Sequence, residues 1–167
     1  MKRTFIIFSI FLTSQLLFAI PANLVPNFQH ADRGIYTAGQ PTTEGFELLA
    51  STGLRTVINV LPEKYCVRDE ATVVRGKGMT YRSIPFDTSS FRKQTVEQFA
   101  EVLKAVKKPV LIHCSTGNHA GGIWFAYRIL FENASLDQAL AEARLIGMRP
   151  ELEERLVGPV LEARREH

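Results

Sequence analysis

The segment 110–122 constrains the fold of this chain more than any other part of the sequence. It starts as a short apolar run, passes through a loop that contains Gly117, and leads into a run over 123–131 that is typical of a helix. Cys114 therefore lies where a strand ends and a helix begins. Backbone N–H groups in such a loop converge on one point, where the helix dipole favours an anion or a cysteine thiolate. The segment predicts an anion site built around a nucleophilic cysteine.

Strand-like and helix-like segments alternate along the rest of the chain, which is typical of an α/β fold. The apolar runs predict strands at 35–38, 56–61, 80–84 and 110–112. Periodicity and capping residues predict helices that begin at Thr42 or Thr43, at Arg68, at Thr95, after the cysteine loop, at Ser135 and at Pro150, with Gly158 and Pro159 interrupting or kinking the last one. The pattern implies a central parallel-rich sheet flanked by helices, with ligands at the carboxyl ends of the strands.

The first 22 residues are typical of a secretory signal peptide. A positively charged start precedes an apolar run over 4–19, and we expect cleavage after Ala22 or Ala19. The alternative is an uncleaved membrane anchor, for which the run is short. We therefore expect a single domain over 23–167 that is secreted across the inner membrane into a bacterial periplasm. We expect no stable membrane association after cleavage.

The charge of the chain argues against nucleic acid as a partner. The net charge of +3 includes Lys2 and Arg3, so the chain without its leader carries 3 minus 2, or +1. The sequence has no cluster of basic residues interleaved with aromatic ones, which would favour nucleic-acid binding. The hydrophobic fraction of 46% is enough for an ordinary core, and we expect a monomer that needs no cofactor and no metal.

The cysteine loop resembles the signature loop of the cysteine-dependent protein tyrosine and dual-specificity phosphatases. That signature reads His-Cys, two residues, Gly, two residues, Arg, and this chain matches it at His113, Cys114 and Gly117. In this register the arginine position is occupied by Ala120. The resemblance implies a dual-specificity phosphatase-like fold.

A bacterial branch of these domains, the beta-lactamase-hydrolase-like phosphatases, is similar in a second register. Its loop has the shorter form His-Cys-x-Ser-Gly-Asn-Arg-x-Gly, so that Gly117 and Asn118 match and the arginine position is His119. The string Ile-Tyr-Thr-Ala-Gly-Gln-Pro over 35–41 is similar to the opening strand of the same branch. With the order of the predicted elements, the likeness extends over roughly 28–147.

The resemblance implies a role for each residue around the loop. Cys114 would attack phosphorus to form a phosphocysteine, and His113 would support the loop and the thiolate. Asp87 would protonate the leaving oxygen and then activate water, or would instead be a solvated aspartate that caps a turn with Thr88 or Ser89. The phosphate oxygens would be held by the loop residues Ser115, Thr116, Gly117, Asn118, His119 and Ala120.

Two departures from the signature bear on turnover. Arginine holds phosphate with a permanently charged bidentate fork, whereas histidine offers fewer donors and is charged mainly at mildly acidic pH. With His119 in the arginine position, we expect activity to rise as its imidazole becomes charged. The hydroxyl residue that usually follows the arginine is replaced by Ala120 and Gly121, which bears on hydrolysis of the phosphocysteine.

The chain has a second cysteine, Cys66. In an oxidising compartment two cysteines suggest a disulfide. If Cys114 is a reactive thiolate, Cys66 could be a redox partner that protects it reversibly. A permanent structural disulfide and two unpaired thiols are the other readings of the same pair.

Three functions are compatible with these residues. The first is hydrolysis of phosphate monoesters by a cysteine-dependent phosphatase, with a phosphoprotein, a lipid phosphate, a nucleotide or polyphosphate as the substrate. The second is a pseudophosphatase that binds phosphorylated or anionic ligands without turnover. The third is a rhodanese-like sulfurtransferase, which also places a cysteine loop after a buried strand.

Overall fold

The computed structural model describes residues 20–65 and 69–166, and within them a five-stranded sheet lies between two layers of helices. The strands are β1 (Gln29–Asp32), β2 (Ile35–Ala38), β3 (Thr56–Asn59), β4 (Thr80–Ser83) and β5 (Val110–His113). The helices are α1 (Thr43–Ser51), α2 (Glu70–Gly76), α3 (Lys93–Ala105), α4 (Asn118–Leu130), α5 (Leu136–Ile146) and α6 (Pro150–Arg165), with a short 3₁₀ turn at Glu63–Tyr65.

The sheet has the order β1-β2-β5-β3-β4, and only the pairing of β1 with β2 is antiparallel among the described strands. The predicted parallel-rich sheet is therefore confirmed, and β5, which leads into the cysteine loop, is its central strand. Strand β1 was not predicted, because its residues are polar and mostly exposed at the edge of the sheet. Since the side chains of this strand are not buried, its sequence has no hydrophobic pattern from which a strand could be predicted.

Apolar side chains at alternate positions of β5 pack into two separate hydrophobic cores. Val110 and Ile112 pack with α3, α4, α5 and α6 on one face, whereas Leu111 packs with α1 and α2 on the other. All four residues of β5 are buried, as the uninterrupted apolar run of a central parallel strand requires. Since side chains alternate along a strand, His113 and Cys114 point to opposite faces of the sheet.

Two of the predicted helix starts are confirmed by their capping hydrogen bonds. Thr42 Oγ1 accepts from the backbone N–H of Gly45 at 3.0 Å, and Ser135 Oγ accepts from the backbone N–H of Gln138 at 3.3 Å. These bonds satisfy N–H groups that the first helical turn leaves without partners.

The predicted capping box at Thr95 is wrong. Helix α3 already begins at Lys93, after the extended residue Arg92, which makes no side-chain cap. Burial of Val96 and Phe99 fixes this helix against the sheet without a cap.

Of the two alternatives predicted for Gly158 and Pro159, interruption of the last helix is wrong, because α6 is continuous through both residues, whereas a kink stays a prediction. Both are exposed, and the buried face of the helix is formed by Leu152, Leu156 and Val160. Packing of this face keeps the helix intact where an isolated peptide would break.

The signal-peptide prediction falls almost entirely on residues 1–19, which lie outside the described part of the chain, so export stays a prediction. Within 20–65 and 69–166, no helix has both the length and the apolar character needed to cross a membrane.

Candidate active site

The cysteine loop joins the carboxyl end of the central strand β5 to the first residue of α4. The helix begins at Asn118 and not near 123, because Gly117 takes a positive φ of 95° and turns the chain directly into the helix. His119 and Ala120 therefore lie in its first turn. This helix start could not be predicted from the sequence, since the residues between Asn118 and Gly122 are polar or small and show no apolar periodicity.

Cys114 lies at the base of this loop and is fully buried. Its Sγ atom accepts a hydrogen bond from the backbone N–H of Gly117, with 3.2 Å between the nitrogen and the sulfur. The loop thus curls around the sulfur, as the sequence predicts for an anion-binding turn. Among residues 20–65 and 69–166, Cys114 has no disulfide partner. Cys66 lies outside the described residues, so its pairing with Cys114 stays a prediction.

The turn between α5 and α6 packs directly against the cysteine loop. A Cβ atom on Gly117 would lie 2.3 Å from the backbone oxygen of Ile146, so only glycine allows this approach. Asn118 Oδ1 accepts a hydrogen bond from the backbone N–H of Arg149 at 2.9 Å. Arg149 itself is exposed and immediately precedes α6.

The Gly-Gln-Pro string after β2 supports the loop from another direction. The backbone N–H of Gln40 donates to the backbone oxygen of Ser115 at 2.9 Å. A Cβ atom on Gly39 would lie 2.9 Å from that same oxygen, so this position needs glycine. Asn27 Nδ2 also donates to the backbone oxygen of Thr116 at 2.9 Å. The string identified in the sequence therefore has a direct structural role beside the cysteine.

The mouth of the loop is formed by the more accessible residues Ser115, Thr116, Asn118 and His119, together with Asp87. Ser115 and Thr116 are exposed, and Asn118 and His119 are partly buried. Ala120, in contrast, is fully buried in the core against which α4 packs. Of the two positions where the sequence registers place an arginine, only His119 reaches the mouth.

Asp87 and His119 are electrostatic neighbours at the mouth. Hydrogen bonds from the backbone N–H and hydroxyl of Ser89, at 2.9 and 2.8 Å, lower the pKa of Asp87, and the charges of Lys64 and Arg92 lower it further. Burial lowers the pKa of His119, although the carboxylate of Asp87 opposes this shift. At neutral pH Asp87 is therefore ionised and His119 is mainly neutral.

These shifts refine two predictions from the sequence. The turn between Asp87 and Ser89, which was one of the two interpretations of Asp87, is formed, and the charge of the same aspartate also acts on His119. The charged form of His119 becomes populated only at a pH below the ordinary range for histidine, so any gain in activity moves to more acidic conditions.

Behind the loop lies a set of buried and partly buried polar residues, of which sequence analysis identified only His113 as part of the site. This rear network is centred on Glu70, the first residue of α2. Glu70 Oε1 accepts from Asn59 Nδ2 at 2.7 Å and from Tyr81 Oη at 2.8 Å, and Glu70 Oε2 accepts from Gln40 Nε2. His113 Nε2 lies 3.3 Å from Glu70 Oε1, in ion-pair contact but outside hydrogen-bond geometry.

Glu70 is only 3% exposed, yet it is held as an anion. Burial alone would raise the pKa of its carboxyl group. The contact with His113 and the hydrogen bonds from Gln40 and Tyr81 outweigh burial and lower the pKa to about 2. The sequence gives one indication of this network, which is that polar residues occupy positions next to apolar segments. Asn59 ends a buried strand, and Glu70 is the first residue of a helix with an apolar face.

Comparison with known proteins gives a family match over most of the chain. A family model described as "DSP-PTPase phosphatase fused to NAD+ Kinase" matches residues 26–154. The chain is 31% identical to inositol diphosphatase DSP2 of Oryza sativa subsp. japonica over 109 residues, which are 60% of this chain and 53% of that protein. It is 27% identical to a beta-lactamase hydrolase-like protein of Xylella fastidiosa over 88 residues, which are 50% of this chain and 20% of that protein. The chain thus spans about half the length of the plant relatives that it matches.

Solved structures share the fold. A putative phosphatase (DUF442) from Shewanella putrefaciens CN-32 superposes with a TM-score of 0.66 at 26% identity, over 85% of this chain and 95% of that chain. TpbA of P. aeruginosa superposes with a TM-score of 0.70 at 20% identity, over 89% of this chain and 93% of that chain. The predicted dual-specificity phosphatase-like fold is therefore confirmed.

Proposed function

This chain belongs to the DSP-PTPase phosphatase family, and from that premise we propose that it transfers phosphate from a phosphate monoester to Cys114. The observation that carries the proposal is the position of Cys114 in a loop that curls around its sulfur at the start of α4. The thiolate attacks phosphorus, a P–S bond forms, and the P–O bond to the leaving group breaks. Water then cleaves the P–S bond and releases inorganic phosphate.

Asp87 is the group that exchanges protons with the leaving oxygen and with water in this proposal. The charge of its carboxylate acts on His119 at the mouth and raises the pKa of that histidine. Its pKa is lowered, so only a small fraction is protonated at neutral pH. A general acid in this state works better in acid, which is the same direction expected from charging of His119.

His119 and the loop amides hold the phosphate oxygens in this proposal. The N-terminus of α4 attracts anions through its unpaired N–H groups and the helix dipole. The charges of Lys64 and Arg92 act on Asp87. Arg149 immediately precedes α6, and its backbone N–H donates to Asn118 Oδ1. Two cations that act on Asp87, together with Arg149 next to Asn118 in the fold, favour a substrate with more than one phosphate group.

We propose a densely phosphorylated small molecule as the substrate class. Support comes from these cations and from the plant relatives, which are named inositol diphosphatases. The exposed serine and threonine at the mouth are compatible with a polar ligand.

A binding protein without turnover is the second candidate, and one observation favours it. Burial lowers the pKa of His119, so the residue at the mouth carries little charge at neutral pH where related loops present an arginine. The loop amides alone would still bind an anion.

Hydrolysis of a small aryl phosphate between pH 4 and 8 distinguishes the candidates. The chain 23–167 is compared with Cys114→Ser and His119→Arg under reducing conditions. Activity of the parent that rises in acid and is lost in Cys114→Ser supports the phosphatase. An inert parent with an active His119→Arg variant supports the binding protein. If both are inert, the phosphatase proposal fails, and persulfide formation from thiosulfate would then identify the sulfurtransferase alternative.

A further inference from the structure

The rear network reaches the cysteine loop on both sides of Cys114. On one side, Glu70 contacts His113, the residue that precedes the cysteine. On the other side, Gln40 donates its side-chain amide to Glu70 and its backbone N–H to Ser115, the residue that follows the cysteine. The nucleophile thus lies between two residues that are tied to one buried carboxylate.

Glu70 is suited to this role by its chemistry. An ionised carboxylate only accepts hydrogen bonds, and here it faces donors from the segment after β2, from the end of β3 and from β4. The pKa of about 2 keeps it in this acceptor form at every pH at which the protein would work. The titratable groups that face it are His113 from β5 and Tyr81 from β4.

A second, partly exposed carboxylate provides an internal comparison. Glu142 on α5 accepts hydrogen bonds from Trp124 Nε1 at 2.9 Å and from Arg128 Nε at 2.8 Å. It therefore ties α5 to α4, but its partners lie beyond the cysteine loop. Loss of Glu142 weakens packing of the same helix without touching the residues that flank Cys114.

We propose that Glu70, acting through Gln40 and His113, is a positioning residue that fixes the backbone of the cysteine loop around Cys114. The part that concerns turnover rests on the proposed function, whereas the part that concerns loop geometry does not. Glu70→Gln tests it, because the amide places a donor where the surrounding groups are themselves donors. Gln40→Ala removes the side-chain link to Glu70 and keeps the backbone bond to Ser115.

Hydrogen exchange of the Gly117 amide is the direct readout, because this N–H points at the sulfur of Cys114. Its exchange rate is compared with that of Ile58 in β3, which reports opening of the sheet as a whole. We expect the ratio of the two rates to rise at least tenfold in Glu70→Gln and at least threefold in Gln40→Ala. In Glu142→Gln it should stay within twofold of the parent. A purely structural role would accelerate both amides together and leave the ratio unchanged.

Inorganic phosphate is the binding probe in the same variants. We expect its dissociation constant to rise at least fivefold in Glu70→Gln and to stay within twofold in Glu142→Gln. Unchanged exchange ratios in folded Glu70→Gln and Gln40→Ala would overturn the proposal. If Glu70→Gln does not fold, Gln40→Ala decides alone by the same criterion. If the parent neither binds phosphate nor turns over aryl phosphate, the proposed function fails, while the exchange ratios still decide the role of Glu70.

Discussion

Behind the cysteine loop, Glu70 is 3% exposed and surrounded by donors, whereas at the mouth Ser115 and Thr116 lie open to solvent. The rear network is bound to three strands and one helix, so its geometry is part of the fold. At the mouth, Ser115 and Thr116 are held through their backbone oxygens, so these bonds do not depend on the chemistry of their side chains. The difference teaches that a scaffold can keep the support for a cysteine loop while the side chains at the mouth of that loop change.

The pKa shifts follow the same division. At the rear, hydrogen bonds and His113 overcome burial and keep Glu70 charged. At the mouth, burial prevails over the charge of Asp87 and lowers the pKa of His119. A buried group with several donors is stabilised as an ion, and a partly buried group with one distant partner is not.

Removing the rear carboxylate should have the largest effect on stability. Glu70→Ala leaves a buried histidine and three donors without their acceptor, so we expect the free energy of unfolding to fall by about 3–5 kcal/mol. Chemical denaturation of the chain 23–167 measures this. In the matched control Glu142→Ala, whose carboxylate is partly exposed, the loss should be about 1 kcal/mol. Equal losses would show that the rear network is no stronger than an ordinary partly buried pair.

Changing the mouth should alter activity and leave stability almost untouched. His119→Arg restores a permanent charge and a second donor, and we expect kcat/KM for an aryl phosphate to rise by roughly tenfold to a hundredfold. The midpoint of thermal unfolding should stay close to that of the parent. Loss of activity in a folded variant would place the phosphate away from His119.

A fall in pH should reduce the contribution of the rear network to stability before it affects the hydrophobic core. The pKa of Glu70 is about 2 in the folded protein and near 4.5 in its ordinary state, so its contribution is complete above pH 4.5 and is lost as pH falls towards 2. Unfolding by denaturant at pH values between 2.5 and 6 should show this decline. It should be smaller in Glu70→Gln, which has no carboxyl group to protonate at that position. An identical decline in both proteins would assign it to other carboxylates.

The smallest effect is expected from a cation at the edge of the mouth. Arg149→Ala removes an exposed charge beside Asn118, and we expect KM for a phosphate-rich substrate to rise about threefold with kcat unchanged. Arg155, also exposed on α6 but further along the helix, provides the control, and Arg155→Ala should leave KM unchanged. The difference between the two variants should shrink at high salt.

The fold was largely predictable because its central strands are apolar and its helices carry clear caps. Strands β2 to β5 and the starts of α1 and α5 follow from local pattern. Strand β1 and the early start of α4 do not, since one is a polar edge strand and the other depends on the positive φ of Gly117. Such features are decided by pairing and backbone geometry, which leave little trace in hydrophobic periodicity.

The mouth was more predictable than the rear. Cys114 was singled out by its place between a strand and a helix, and His119 and Asp87 by resemblance to the phosphatase family; their roles stay predictions. Glu70 could not be, because its partners come from positions 11 to 43 residues away in the sequence. Only the folded sheet brings Asn59, Gln40 and His113 to one carboxylate.

Trapping of a phosphocysteine tests the central claim most directly. The chain 23–167 and His119→Arg are mixed with an aryl phosphate, quenched in acid, and digested for mass spectrometry of the peptide that contains Cys114. We predict a covalent phosphate on Cys114, more abundant in His119→Arg, and we expect it to accumulate because Ala120 and Gly121 provide no hydroxyl to assist its hydrolysis. Absence of phosphate on Cys114 in both proteins, with inorganic phosphate still bound, would contradict phosphoryl transfer and leave a loop that only binds anions.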